Sequence, residues 1–243
     1  MEKGLEVKNM KSRKLMLGVI YVLLILAVFS LNALASGKGI GISGEEALKR
    51  LMDGNTRFVE GKPIQKDLSN NRRTELTKGQ QPFAVIISCS DSRVPPEHVF
   101  DQGLGDLFVV RVAGNIVDPI ELGSVEYAVE HLGVPLVLVL GHQSCGAVKA
   151  TVDGGKPEGN IGALVKKISP SVKQAKAKVK DKDKLLDAAI LENAKNTAST
   201  LVKKSDLIKH LVESQKVKIT AGVYSLATGK VDLIDLGTGK EKK

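Results

Sequence analysis

The sequence predicts an α/β fold: a single domain with a central, mostly parallel β-sheet flanked by helices and an antiparallel C-terminal edge. Three apolar runs rich in Val, Ile and Leu, at 83–88, 107–112 and 134–140, have the composition of strands buried on both faces. Helical patterns separate these runs, as expected between parallel strands. Two further strand-like runs, 217–226 and 231–236, flank a short Gly-containing turn and predict the antiparallel hairpin.

Residues 1–35 have the pattern of a secretory signal peptide. After a basic start, an uncharged apolar run of 17 residues extends from Leu15 to Leu31, and Ala33-Leu34-Ala35 offers a small-x-small cleavage site. We therefore predict cleavage after Ala35 and a periplasmic or secreted protein, in which residues 36–243 form the single domain. The alternative is an uncleaved helix that anchors the protein in a membrane, because about 20 apolar residues span a hydrocarbon core.

The first helices begin and end at clear capping signals. Ser43-Gly44-Glu45-Glu46 is a capping box, and Gly61-Lys62-Pro63 ends the helix that it opens. Asp118 as N-cap and Pro119 at the first helical position start another helix, which ends at Gly133.

The remaining helical patterns are less regular. A helix starts at Gly146, and residues 166–214 predict helices of moderate amphipathicity that are broken by Pro170 and capped again at Ser205. The polar stretch 67–81 predicts no regular element.

The charge distribution argues against a nucleic-acid partner. The formal net charge is +9, and much of the lysine surplus lies at 166–184 and 240–243. Only 3% of the residues are aromatic, and the lysines alternate with Ala and Val, which is typical of a solvated helix face rather than a base-stacking surface. We also expect no membrane association unless the leader is uncleaved.

Both cysteines of the chain lie in polar clusters that follow apolar strands. Cys89 follows the run 83–88, whereas His142 and Cys145 follow the run 134–140. The carboxyl ends of parallel strands share one edge of the sheet, so the two clusters are expected to meet there. Two thiolates and one imidazole leave a fourth position open, which is the pattern of a catalytic zinc site. A redox protein with a Cys89–Cys145 disulfide is the alternative, since export favours disulfides.

Asp91 and Arg93 follow the first cysteine closely and leave two roles open. Asp91 either provides a fourth metal ligand, or it pairs with the planar guanidinium of Arg93 and accepts a hydrogen bond from the nucleophile at the metal. Among the other histidines, we interpret His131 as a surface or packing residue. We interpret His98 as a helix-start residue, with proton transfer as the alternative.

These motifs resemble those of the β-class carbonic anhydrases, whose pattern combines Cys89-Ser90-Asp91-Ser92-Arg93 with Gly141-His142-Gln143-Ser144-Cys145-Gly146. The similarity covers about residues 43–236. It includes four further segments, at 54–58, 108–111, 113–115 and 124–128. The resemblance implies a β-carbonic anhydrase-like fold and reversible hydration of CO2 to bicarbonate and a proton, by attack of zinc-bound hydroxide.

The resemblance also implies specific roles. Cys89, His142 and Cys145 match the ligands of one Zn²⁺ per subunit, and Asp91 and Arg93 match the catalytic dyad. Three further matches are substrate-binding residues: Gln80, Phe108 and Tyr127. For Phe108 and Tyr127, plain packing in the core is the alternative.

The family works as homodimers or higher homo-oligomers. The chain has no Trp, and this favours the plant-type, constitutively open subtype, in which Asp91 stays off the metal. A related zinc hydrolase acting on carbonyl sulfide or carbon disulfide remains the alternative activity.

Overall fold

The computed structural model describes residues 40–237, and the predicted signal peptide and the lysine tail at 240–243 lie outside this range. Strands β1 to β5 are Ala84–Ser88, Leu107–Arg111, Leu136–His142, Lys218–Tyr224 and Val231–Ile234. Helices α1 to α8 are Gly44–Val59, Asn70–Leu76, Pro96–Val99, Pro119–Glu130, Gly146–Asp153, Ile161–Lys178, Lys182–Lys204 and Asp206–Glu213. Between residues 40 and 237, no helix combines the length and the apolar character needed to cross a bilayer.

The five strands form one sheet in the order β2-β1-β3-β4-β5. Strands β1 to β4 are parallel to one another, and β5 pairs antiparallel with β4, so the predicted sheet is confirmed. Strands β1 and β3 are buried along their whole length, as expected of continuous apolar runs. The same expectation was wrong for β2, which lies at the edge of the sheet and has only Val110 buried. In the register, Ser88 lies between Arg111 and Leu140. The segments that follow β1, β2 and β3 therefore leave the sheet at the same edge.

Each face of the sheet packs against its own helices. Alternate residues of β1 point to opposite faces: Val85 and Ile87 belong to one cluster, and Ala84 and Ile86 to another. Helices α4, α7 and α8 cover the first face, and α1 packs on the second. A third cluster contains both cysteines together with apolar residues of α5, α6 and α7. This third cluster packs the carboxyl edge of the sheet against the lysine-rich helices α6 and α7.

The prediction that Pro170 breaks the helices was wrong. Helix α6 continues through Pro170 to Lys178. The proline removes one backbone hydrogen bond, but buried Ile168, Val172 and Ala175 hold this helix against its neighbours. The chain instead leaves the helical conformation at the extended Val179, while the predicted cap at Ser205 is confirmed.

Helix α2, which is capped by Ser69, lies in the stretch 67–81, for which no element was predicted. None of its residues is buried, so no apolar periodicity marks it in the sequence.

A buried carboxylate fixes the segment after α1 to the loop after α3. Asp101 is 4% exposed and has a left-handed φ of 50°. Its Oδ2 accepts hydrogen bonds from Arg57 Nε at 2.6 Å and from the Ile64 N–H at 3.3 Å, and its Oδ1 pairs with Lys66. Burial raises the pKa of the Asp101 carboxyl. The hydrogen bonds from Lys66, Arg57 and Ile64 outweigh that effect and bring the pKa below its ordinary value.

Asp101→Asn should therefore lower the free energy of unfolding at pH 7 by about 2 kcal/mol. Asparagine tolerates the left-handed conformation, so the substitution isolates the charge. A carboxyl with a lowered folded pKa stabilises the protein above its unfolded pKa of about 3.9, and this contribution disappears as the pH falls through the folded value.

Urea unfolding at pH 7 and in acid measures this effect. Asp53→Asn, which breaks only an exposed pair with Lys49, is the matched control and should change stability little. A difference between wild type and Asp101→Asn that is equally large in acid would contradict the charge argument.

Candidate active site

Three elements bring the predicted ligands together. Cys89 directly follows β1, and Cys145 is the N-cap of α5. His142 was expected just beyond a strand that ends at residue 140, but it is the last residue of β3. The strand is longer because His142 still pairs with Tyr224 of β4. Ser144 has a left-handed φ of 55° and turns the chain between β3 and α5.

The side chains of Cys89, His142 and Cys145 form a buried cluster. Their ligand atoms all lie within 4.8 Å of one another, and the two sulfurs are 3.9 Å apart. Two thiolates bound to one tetrahedral zinc ion at about 2.3 Å would be separated by roughly 3.8 Å. A disulfide needs a separation of about 2.05 Å, and both cysteines are free. The observed spacing therefore fits shared metal ligation rather than a disulfide.

The histidine of the cluster is oriented by the backbone. His142 Nδ1 lies 2.9 Å from the carbonyl oxygen of Gln143 and donates to it in the tautomer that leaves a lone pair on Nε2. Among the described residues, His142 Nε2 is buried and has no hydrogen-bond partner. Burial of a nitrogen lone pair without a hydrogen bond or a metal costs folding free energy. A metal ion bound by the two thiolates would also bind this nitrogen and remove that cost.

The hydrogen bond between the two thiols shifts their pKa values in opposite directions. The hydrogen bond from Cys145 lowers the pKa of Cys89 below its ordinary value, against burial, and His142 and the Gly114 N–H lower it further. The same shared hydrogen bond raises the pKa of Cys145 above its ordinary value. A divalent cation between the sulfurs would allow both to be thiolates, because its charge outweighs their mutual repulsion.

Asp91 lies beside this cluster and pairs with Arg93. Arg93 Nε donates to Oδ1 at 2.9 Å and Nη2 donates to Oδ2 at 2.7 Å. Hydrogen bonds from the Arg93 side chain hold the pKa of Asp91 well below its usual range. Oδ2 is 3.9 Å from His142 Nε2. Of the two arrangements that the sequence left open, the structure has the bidentate pair.

Two groups that support Cys89 were not found by sequence reasoning. Arg111, the last residue of β2, donates from Nε to the carbonyl of Cys89 at 3.1 Å and from Nη2 to that of Asp91 at 2.7 Å. The Gly114 N–H points at the sulfur of Cys89, at 3.3 Å. The resemblance included segments 108–111 and 113–115 but assigned no role to Arg111 or Gly114. The strand order, in which Arg111 lies beside Ser88, brings them to the cysteine motif.

The other residues named from the resemblance are more peripheral. Phe108 and Tyr127 have ring centroids 6.3 Å apart, and Tyr127 is 47% exposed. Gln80 is exposed and lines a groove of about 430 Å³, whose lining residues include none of the three cluster residues. Their role in substrate binding stays a prediction. His98 lies in α3, consistent with a helix-start residue.

Comparison with known proteins identifies the family. The family model for carbonic anhydrase matches residues 84–231. The carbonic anhydrase of Mycolicibacterium smegmatis is 42% identical over 191 residues, which cover 77% of this chain and 91% of that protein.

Solved structures agree with this match. A Coccomyxa β-carbonic anhydrase in complex with acetazolamide is 27% identical, with a TM-score of 0.62 over 66% of this chain and 75% of that one. A tetrameric β-carbonic anhydrase of Sordaria macrospora, 22% identical, shares the fold with a TM-score of 0.62 over 68% and 87% of the two chains. The chain therefore belongs to the β-class carbonic anhydrase family.

Proposed function

We propose that this chain catalyses the zinc-dependent, reversible hydration of CO2 to bicarbonate and a proton. The observation that carries this proposal is the buried Cys89, His142 and Cys145 cluster with the Asp91–Arg93 pair beside it. The family match and the relative named carbonic anhydrase support the same activity. Neither favours the alternative hydrolysis of carbonyl sulfide or carbon disulfide.

The sulfurs of Cys89 and Cys145 and Nε2 of His142 would hold one Zn²⁺ per subunit. Zinc bound there would lower the pKa of a coordinated water from about 15.7 toward about 7 and so supply hydroxide at neutral pH. With three protein ligands, one position on the metal would remain open to solvent and substrate.

Asp91 and Arg93 would orient the nucleophile. The ionised carboxylate of Asp91 can only accept hydrogen bonds, and Arg93 donates three of them, two from its side chain and one from its backbone N–H. Its Oδ2 is also close to His142 Nε2, so the carboxylate can accept the O–H of a nucleophile in the open position. That hydrogen bond would direct the proton of the nucleophile toward Asp91 Oδ2. A lone pair on the oxygen of the nucleophile would then be directed at CO2. Arg93 keeps the carboxylate ionised and would hold it away from a metal bound by the three ligands.

The decisive experiment measures zinc content and CO2 hydration on the same purified protein. We expect one zinc per chain, hydration activity and no reactive thiols until the metal is removed. A zinc-free protein with a Cys89–Cys145 disulfide and no hydration activity would instead support the redox alternative. A substrate panel containing carbonyl sulfide and carbon disulfide tests the hydrolase alternative directly.

Arg111→Met should lower kcat/KM about tenfold, because the loop from Cys89 to Asp91 loses the guanidinium that holds both of its carbonyls. Stopped-flow CO2 hydration measures this change. Arg72→Met removes a comparable hydrogen bond, to the carbonyl of Leu104, and is the matched control. Equal kcat/KM values in both variants would show that Arg111 has no part in positioning the loop.

We also propose export, with cleavage after Ala35 or retention of the leader as a membrane anchor. Its support is the basic, apolar and small-x-small pattern of the leader alone. Cell fractionation with N-terminal sequencing tests it: a soluble periplasmic protein beginning at Ser36 is expected. Recovery in the cytoplasm with an intact N-terminus would contradict export.

Assembly as a homodimer or higher homo-oligomer is proposed on two grounds. Large apolar side chains are exposed on α4, where Ile120 is 80% exposed and Tyr127 is 47% exposed. The Sordaria macrospora protein that shares the fold is tetrameric. Light scattering on the purified protein should give at least twice the monomer mass, and a monomer at micromolar concentration would contradict the proposal.

A further inference from the structure

A continuous path of hydrogen bonds runs from the lysine-rich helices to a sulfur of the metal cluster. Asn193 of α7 donates from Nδ2 to the carbonyl of Gly114 at 2.7 Å. The N–H of the same glycine points at Cys89 Sγ, at 3.3 Å. Among the described residues, Asn193 makes no hydrogen bond to the cysteine itself, but it is hydrogen-bonded to the residue that donates to the cysteine.

Gly114 lies in a tight turn that packs against the neighbouring helices. The Asn115 N–H bonds to the carbonyl of Val112 at 2.9 Å, and Gly114 has a φ of 79°, as in a type II turn. A Cβ at position 114 would come within 2.7 Å of Ile168 Cδ1. The turn is therefore packed directly against α6. The Gly114 N–H is directed at Cys89, whereas the Gly114 carbonyl accepts from Asn193.

Asn193 is itself held in place. It is 2% exposed, and its Oδ1 accepts a hydrogen bond from Ser171 Oγ of α6 at 3.3 Å. Ser171 Oγ in turn accepts from Asn196 Nδ2 at 2.9 Å. A buried amide with both ends bonded has one orientation, since reversing it would leave two polar atoms without partners.

We propose that Asn193 is a positioning residue for the metal centre, because it fixes the Gly114 turn so that its N–H stays directed at the sulfur of Cys89. The inference rests on the proposed function, in which Cys89 binds zinc. A hydrogen bond to a ligating sulfur orients that sulfur, and loss of such outer contacts typically weakens metal binding about 10- to 100-fold. The helices α6 and α7, which contribute no ligand, thereby contribute to zinc affinity.

If Asn193 had only a structural role, its removal would lower stability but leave zinc affinity unchanged. Asn55 provides the matched control for this comparison. Asn55 is also 2% exposed and also bonds backbone groups, donating to the carbonyls of Val99 and Gly229 and accepting from the Val231 N–H. Asn55→Ala and Asn193→Ala both remove a buried amide. Only the second removes a contact that leads to Cys89.

The test is chelator competition for zinc, combined with urea unfolding of the zinc-free proteins. Asn193→Ala should bind zinc at least about tenfold more weakly than wild type, whereas Asn55→Ala should lose stability but keep the wild-type zinc affinity. Thiolate-to-metal absorption of the cobalt-substituted proteins should change in Asn193→Ala alone. Wild-type zinc affinity and an unchanged cobalt spectrum in Asn193→Ala would overturn the proposal.

A second variant covers the possibility that Asn193→Ala does not fold. Asn193→Leu has nearly the same shape but no donor, so the Gly114 carbonyl loses its hydrogen bond and zinc affinity should again fall. Unchanged affinity in Asn193→Leu overturns the proposal equally. If wild type itself binds no zinc, the proposed function has failed before any variant is compared, and the two failures are therefore distinguishable.

Discussion

Cys145→Ser is expected to lose zinc and CO2 hydration together. The substitution is nearly isosteric, but a serine hydroxyl does not ionise near neutral pH and is a poor zinc ligand. Only Cys89 and His142 would remain, and two protein ligands hold zinc weakly. Since loss of a mere outer contact costs about 10- to 100-fold, loss of a ligand should lower the hydration rate by more than about 100-fold. Cys89→Ser and His142→Ala should behave alike, because each removes one of the same three ligands.

Elemental analysis and stopped-flow hydration on the same samples measure this effect. His210→Ala is the matched control for His142→Ala, since His210 is an exposed residue of α8 and should leave both zinc content and rate unchanged. Addition of zinc should raise the melting temperature of wild type but not of Cys145→Ser, because only a folded site that binds metal gains stability from it. Full zinc occupancy in Cys145→Ser would show that another residue is the ligand.

Much of the fold follows from local patterns. The apolar runs at 83–88, 107–112 and 134–140 became three parallel strands. Strands β1 and β3 lie inside the sheet and are buried along their whole length, whereas β2 is an edge strand in which only Val110 is buried. Local patterns give a wrong prediction where tertiary contacts override them. Pro170 is a helix breaker in isolation, but the buried residues of α6 on either side of it keep the helix intact.

The residues of the site also fall into two groups, those that local sequence patterns predict and those that only the tertiary structure reveals. Cys89, His142 and Cys145 could be brought together in advance, because each follows or ends a parallel strand and such strands share an edge. Arg111, Gly114 and Asn193 could not, because their link to Cys89 depends on strand order and on how α7 lies over the turn. Motifs contain the reacting groups, whereas the groups that position them are distributed over the fold.

Arg93→Ala is expected to keep its zinc and to lose about 100-fold in the rate of CO2 hydration. Arg93 is not a metal ligand, and its side chain is 54% exposed, so its removal should leave the Cys89, His142 and Cys145 cluster intact. The carboxylate of Asp91 would lose both side-chain hydrogen bonds that hold it. Because its Oδ2 is already 3.9 Å from His142 Nε2, a small rotation would bring Asp91 to the open ligand position and block it.

Arg93→Lys separates charge from geometry. Lysine keeps the positive charge but lacks the planar fork that binds both carboxylate oxygens, so its rate should lie between those of wild type and Arg93→Ala. Asp91→Asn should also be slow while zinc is retained, because an amide is a weaker acceptor for the nucleophile than a carboxylate. Zinc content, kcat and KM measured for all three variants test the pair as a unit. A wild-type rate in zinc-loaded Arg93→Ala would mean that Asp91 needs no partner, and the orienting role of the pair would have to be abandoned.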